Sequence, residues 1–321
     1  AGDTNGAGDI FIKDLQTGLV TRESTDSAGM EGDSASVVAE MTPDARYVAF
    51  TSNAGNLVPG DTNNEFDIFL KDRHTGTTTR VSTDSVDAQA LGGNSLAVDI
   101  SDDGSYVVFD ATATNLVAGD TKGVRDIFVK DVQTGITTRI STDSAGAEAN
   151  AYSQAPFVSP DGRYVVFQSG ASILVIGDTN SVDDIFIKDT LTGTVTRVST
   201  NSAGVEGNNT SRAASMSANG RFVAFWSDAD NLVANDTNAV TDIFVKDVQT
   251  GVTTRLSADA MGIEGNAASG LDRPNLCDVG LYVSFHSDAS NLVSGDNNAA
   301  PDIFRADNPL LSKGAPVLDL D

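Results

Sequence analysis

Apolar residues along this chain fall in short runs that alternate with polar ones at a period of two, as in Tyr164-Val165-Val166-Phe167-Gln168-Ser169 and Asp184-Ile185-Phe186-Ile187-Lys188-Asp189. Gly, Asn and Asp interrupt these runs about every dozen residues, which is the pattern of β-strands joined by tight turns. No segment carries the 3.6-residue apolar period of an amphipathic helix. Two turn types recur. In Asp14-Leu15-Gln16-Thr17-Gly18 the Asp carboxylate can accept backbone N–H groups and the Gly allows a positive φ, as a short hairpin needs. The same turn returns at Asp72 to Gly76, Asp131 to Gly135, Asp189 to Gly193 and Asp247 to Gly251. In Pro160-Asp161-Gly162 the Pro presets φ ahead of Asp-Gly and joins another strand pair.

The strands recur as a unit. Gly-Asp-Thr-Asn begins at Gly2, Gly60 and Gly177, with variants at Gly119, Asn235 and Gly295, so that starts lie 58 to 60 residues apart. Each unit runs Asp-Ile-Phe, a Thr-Gly turn, a Thr-Arg-x-Ser stretch, a Gly-rich loop, a Pro-Asp-Gly-type turn, Val-Ala-Phe and Asn-Leu-Val, which supplies four strands. Val158-Ser159-Pro160-Asp161-Gly162-Arg163-Tyr164-Val165-Val166-Phe167, followed by Asp184-Ile185-Phe186-Ile187-Lys188-Asp189, resembles the TolB-like β-propeller repeat over residues 1–307. The resemblance implies an all-β propeller of four-stranded antiparallel blades. Strands a and b flank the Pro-Asp-Gly turn, and c and d flank the Thr-Gly turn. The family's functions are diverse, so it carries no activity over. Counting gives five a, five b, six c and five d strands, which favours five blades, with six as the alternative. Closure would pair the strands near Pro274 to Phe285 with material from Asp9 to Ser24, in competition with the stub Asp302 to Asp307. The tail at 308–321 lacks the repeat and reads as a linker to a further domain.

Composition narrows the partners. Over 321 residues, 20 Lys+Arg against 45 Asp+Glu give a net charge of −25, which repels nucleic acid and anionic lipid. No apolar run approaches the roughly 20 residues that cross a bilayer. One cysteine and two histidines leave no thiolate or multi-histidine metal centre. The chain starts without a signal-peptide pattern, so any such segment is expected to have been removed or to lie upstream, and a secreted or surface-attached bacterial protein is an expectation drawn indirectly from the acidic loops.

The most specific constellation is Asp-x-Asn-x-x-x-Asp in the b–c loops: Asp3, Asn5, Asp9; Asp61, Asn63, Asp67; Asp178, Asn180, Asp184; Asp236, Asn238, Asp242; and Asp296, Asn298, Asp302. Alternating oxygen side chains in a short loop suit Ca²⁺, which takes about six to eight oxygens in irregular geometry. The same residues can instead cap the turn by bonding backbone amides. The third unit is a control, because Lys122 replaces the Asn between Asp120 and Asp126 and is expected to pair with the acids in place of a metal. The d–a loops, which a propeller puts on the same face, add Glu31, Glu148, Glu206 and Glu264, with Gln89 in the second unit. Recurring Thr-Arg pairs such as Thr79-Arg80 and Thr254-Arg255 are expected to pair with neighbouring acids.

Two columns vary inside the repeat. Thr51, Asp110, Gln168, Trp226 and His286 follow the Phe of strand b and are candidates for a recognition ring, since aromatic side chains give rigid contact area. Ordinary surface variation is the plainer reading. Glu40, Asp99, Phe157, Ser215 and Asn275 are expected to face a central channel, where Glu40 and Asp99 resemble a glycosidase acid/base pair. No Gly-x-Ser-x-Gly elbow, His-Glu-x-x-His or phosphate loop is present. The reading is therefore a non-catalytic, extracellular, calcium-binding module for adhesion, protein or carbohydrate binding, or assembly with other chains. A carbohydrate-active hydrolase or lyase and a scaffold within a larger complex are the alternatives.

Overall fold

The structure is a computed structural model that describes residues 2–270, 272–298 and 300–311. No helix occurs among the described residues, and 21 strands account for its regular structure. Two compact units divide the chain, the first holding 1–142 and 147–162, the second 143–146 and 163–321.

In the first unit β1 (Phe11–Lys13) and β2 (Val20–Arg22) form a two-stranded sheet. Two four-stranded antiparallel sheets follow, with strands paired in chain order: β3 (Ser36–Met41), β4 (Tyr47–Ser52), β5 (Asp67–Asp72) and β6 (Thr78–Arg80), then β7 (Ser95–Ile100), β8 (Tyr106–Ala111), β9 (Asp126–Asp131) and β10 (Thr137–Arg139). Strand β11 (Ser153–Val158) completes this unit. In the second unit β12 (Tyr164–Ser169), β13 (Asp184–Asp189) and β14 (Val195–Arg197) pair in order. A complete sheet follows from β15 (Ser211–Met216), β16 (Phe222–Ser227), β17 (Asp242–Asp247) and β18 (Thr253–Arg255). The last sheet has three strands, β19 (Asn275–Leu276), β20 (Tyr282–Ser287) and β21 (Asp302–Asp307). The counts by type match the sequence reading.

The sequence period and the sheets are out of phase. The repeat beginning at Gly60 contributes β5 and β6 to one sheet and β7 and β8 to the next, so each complete sheet joins two consecutive repeats. Closure differs from expectation. Strand β20 takes β21 as its partner through six residue pairs, from Tyr282 with Asp307 to Ser287 with Asp302, while β1 and β2 pair with each other. The loop that brings β21 back runs only from Ser287 to Asp302, and closing it costs less entropy than recruiting a strand from the opposite end of the sequence. The tail at 308–321 is described only to Leu311, and the rest of that reading lies outside the described residues.

Alternation explains the packing. Within strand c, Ile68 and Leu70 join Val98, Ile100, Val107 and Phe109 of the following sheet in one core. The intervening Phe69 points the other way, to Val48 and Phe50, with Ile10 and Ile12 of the preceding repeat against them. Phe residues of strands b and c stack at 5.8 to 6.0 Å between centroids in every sheet that has both strands.

Two kinds of side-chain lock recur between neighbouring sheets. The aromatic residue opening strand b lies on the glycine of the next a–b turn. A Cβ on Gly104 would stand 2.4 Å from Tyr47, and one on Gly220 would stand 2.6 Å from Tyr164. In the four internal c strands the lysine, Lys71, Lys130, Lys188 or Lys246, is buried and reaches back to the loop that leaves the preceding strand d. Lys71 Nζ donates to Thr25 Oγ1 at 3.0 Å and the Asp26 carbonyl at 2.9 Å, and Lys246 Nζ donates to Thr200 Oγ1 at 2.7 Å. A buried ammonium needs such acceptors to offset its desolvation.

Candidate functional site

In the first five repeats the b–c loop meets the d–a loop that follows it in a polar centre, built from the residues singled out by spacing together with the Thr-Arg arginine. The closing Asp sits at the start of strand c, where one oxygen accepts the hydroxyl of a Ser just beyond strand d, as with Ser82 on Asp67 and Ser257 on Asp242. Its other oxygen faces the Asn. Asn180 Nδ2 donates to Asp184 at 3.1 Å and to the Gly207 carbonyl at 2.8 Å, while its Oδ1 accepts the Val182 N–H at 3.1 Å. Asn63 and Asn238 repeat all three bonds. Asn5 keeps the cap on Ala7 and the bond to the Gly32 carbonyl, and Asn298 keeps the cap on Ala300 and the bond to Asp302. In every loop that has the Asn, then, its amide oxygen caps the turn. Where the nitrogen faces the acid, the Asn acts there as a donor.

The third loop shows the same division of labour. Lys122 Nζ donates to the Ala149 carbonyl at 2.8 Å, the counterpart of Gly207, and its ion pair is with Glu148 at 3.5 Å. The expected pair with Asp120 does not form. Asp120 is held by Arg139, because the guanidinium reaches the first acid and the ammonium is drawn to the backbone carbonyls.

The d–a glutamates close the centre. Glu148 accepts the Thr121 N–H and hydroxyl, and Glu206 and Glu264 do the same with Thr179 and Thr237. Among these three acids an arginine from strand d supplies one nitrogen. Arg197 Nη1 lies 3.5 Å from Asp178, 3.3 Å from Asp184 and 2.6 Å from Glu206. Arg255 Nη1 lies 3.3, 3.4 and 2.9 Å from Asp236, Asp242 and Glu264. Arg139 spans Asp120, Asp126 and Glu148 at 3.1 to 3.6 Å, and Arg80 spans Asp61, Asp67 and the Gln89 amide oxygen. Arg22 holds Asp9 at 3.3 Å and Glu31 at 2.8 Å. The side chains of Arg139, Arg197 and Arg255 are only 8% exposed. The Thr-Arg arginines thus pair with acids, and the acids they take are those of the metal motif.

The acids in these centres titrate unequally. Burial pushes Asp126, Asp184 and Asp236 up to about 6, against the lowering pull of the arginines. For Glu148 burial also pulls upward, but the Thr121 bonds and the nearby Arg139 and Lys122 charges outweigh it and hold the carboxyl at about 2. Oxygens of Asp3, Asp9 and Glu31, of Asp120, Asp126 and Glu148, and of Asp178, Asp184 and Glu206 converge closely enough to hold a metal ion. The stub loop of Asp296, Asn298 and Asp302 has no strand d among the described residues to bring it an arginine.

The recognition-ring candidates sit elsewhere than on an open surface. Thr51, Asp110 and Gln168 are buried. Thr51 donates to the Leu96 carbonyl and Asp110 accepts the Ala155 N–H, both on the following strand a, while Gln168 Nε2 donates to Asp183. Trp226 packs on Gly270 beneath the Arg212 guanidinium, and His286 is half-buried. The channel column is mixed: Asn275 is exposed, Glu40 and Phe157 are half-buried, and Asp99 and Ser215 are turned inward. Asp99 is buried and accepts the Val158 N–H at 2.7 Å, and Ser215 bridges to the Pro274 carbonyl and the Leu276 N–H. Neighbouring inner strands are close enough in the propeller for these side chains to join them.

No protein-family model matches the chain, and no curated protein matches it. Solved structures do. TolB from Agrobacterium tumefaciens aligns with a TM-score of 0.51 at 17% identity, over 88% of this chain and 78% of its own. The β-propeller domain of the Trilobed protease from Pyrococcus furiosus, described as having an open velcro topology, aligns at 0.51 and 10% identity over 87% and 70%. TolB from Acinetobacter baumannii aligns at 0.49 and 17% identity, with 94% of this chain spanning 60% of that protein. The chain has a β-propeller fold of the kind TolB carries. At these identities the likeness establishes the fold and leaves the activity open.

Proposed function

We propose that this propeller is a secreted or cell-surface binding and assembly module, non-catalytic, whose loop face is set by arginine–carboxylate centres and stiffened further by calcium. The supporting observation is an excess of charge. Asp178, Asp184 and Glu206 oppose only Arg197, three negative groups against one positive, and the centres of Arg22 and Arg255 have the same formal balance of −2. Gln89 in the second repeat and Lys122 in the third reduce the imbalance to −1. A divalent cation sharing the carboxylates with the guanidinium would relieve this repulsion, and oxygen donors in an irregular setting favour Ca²⁺ over Mg²⁺. The hydrolase or lyase reading rests on Glu40 and Asp99, and the commitment of Asp99 to a backbone amide weighs against it.

Calorimetry of calcium binding, with melting curves in calcium and in chelator, tests the reading. A site held at a hundredfold excess over its Kd adds about 2.7 kcal/mol of stability. Uptake should concentrate in the first, fourth and fifth repeats and fall by one site in each of Asp178→Asn and Asp236→Asn. No uptake at millimolar calcium, with unchanged melting, would leave the arginines as the loops' sole cations and sink the calcium reading. Turnover of a polysaccharide that Asp99→Asn abolishes would sink the non-catalytic one.

A further inference from the structure

Within each of the two units consecutive repeats pack face to face, and the contacts show which side chains face forward and which backward. Facing forward are the first Ile of strand c, the aromatic that opens strand b, and the residue after the Phe of strand b. Ile68, Ile127, Ile185 and Ile243 are fully buried in this way. Tyr47, Tyr106, Tyr164 and Phe222 each lie on the next turn's glycine. Thr51 and Asp110 bond the next inner strand. Facing backward is the Phe of strand c, and Phe69, Phe128, Phe186 and Phe244 are fully buried.

At the two terminal repeats the same positions are uncovered. In the last sheet Ile303 is 73% exposed and Tyr282 is 40% exposed. Among the described residues, His286 Nδ1 has no hydrogen-bond partner, at the position where Thr51 and Asp110 bond a following strand. In β1 the backward-facing Phe11 is 52% exposed, and Lys13, counterpart of the buried Lys71, is exposed. A buried polar atom without a partner and large apolar groups in water both mark a surface built to be covered.

We propose that two copies of this chain associate head to tail, the backward face of β1 and β2 on one copy seating Phe11 against Tyr282, His286 and Ile303 on the forward face of β20 and β21 of the other. The occupant follows from the internal interfaces, where this same pair of faces meets between the two four-stranded sheets of the first unit and between the last two sheets of the second. The contact is heterologous, since the two copies use different surfaces. It is also weaker than an internal step, because Arg305 and Ser284 stand where Val245 and Ala224 fill the core between the preceding sheets.

Sedimentation of the full chain across a concentration series, in chelator so that the outcome is independent of calcium, tests this. The wild type should gain mass with concentration. Phe11→Glu and Ile303→Glu, each with native circular dichroism, should be monomeric alone. Mixed in equal amounts they should form dimers and nothing larger, because the first retains an intact forward face and the second an intact backward face. If a glutamate variant fails to fold, Phe11→Ser and Ile303→Ser make the same comparison with less perturbation. A wild type that stays monomeric at the highest concentration, or assembly that neither variant changes, overturns the proposal. So does a mixture that stays monomeric.

Discussion

Replacing Gly104 by Ala isolates the lock between neighbouring sheets, because the protein contains its own reference position. Gly104 and Gly76 have nearly the same backbone, φ of 74° and 76°. An L-residue in that left-handed region costs about 1–2 kcal/mol. Around Gly76 a new methyl meets nothing within 4 Å, whereas at Gly104 it would stand 2.4, 2.8 and 2.9 Å from three ring atoms of Tyr47. The ring has little room to retreat, since the Arg46 guanidinium lies over it at 4.6 Å from the centroid. Forcing a methyl into such a contact adds about 1–3 kcal/mol. Urea titrations should therefore show Gly76→Ala losing about 1–2 kcal/mol and Gly104→Ala about 2–5 kcal/mol. Combining Gly104→Ala with Tyr47→Ala should remove the steric part, leaving a coupling of opposite sign to the single losses. Equal losses at Gly76 and Gly104, or no coupling with Tyr47, would show that the ring does not hold the sheets in register.

Three further outcomes follow from the polar groups. Arg197→Met should cost about 3 kcal/mol, because it leaves the buried Asp184 and the half-buried Asp178 and Glu206 without their cation, and millimolar calcium should restore part of that loss in a melting scan. Lys122→Asn, which gives the third loop the donor and charge balance of its neighbours, should raise calcium stoichiometry in calorimetry by one. Burial pushes Lys246 from its ordinary 10.5 down to about 8. Between those values the unfolded chain binds a proton that the folded chain does not, so stability should rise with pH from about 8 toward about 10.5. In Lys246→Met, compared by urea midpoints, that rise should be smaller.

The strands, the turns and the repeat were legible because they are local: period-two alternation and Asp-to-Gly turns need only neighbouring residues. What escaped is nonlocal. Lys71 reads as the polar member of an alternating strand, yet its acceptor Thr25 lies 46 residues upstream. Spacing drew Asp178, Asn180 and Asp184 together, but it cannot say which end of an amide faces the acids. Here the Asn180 nitrogen does. The Thr-Arg arginines and the metal-type loops were each visible alone. Their convergence on one point depends on the 27-residue step from Thr179 to Glu206 that only the folded sheets supply. Of the ring candidates, Thr51 and Asp110 are withdrawn from the surface because they bond the following inner strand, a contact that period-two alternation cannot reveal.

The half-repeat offset between sequence period and sheet has a genetic consequence. A sheet spliced from two consecutive repeats keeps both donors when a whole period is duplicated or lost, wherever in the loops the break falls. The strand order a, b, c, d is restored at each junction, and the Tyr–Gly and Lys–Thr locks find the same partners one period along. Such a chain can change length by recombination in steps of one period without ever passing through an intermediate with an unmatched internal strand.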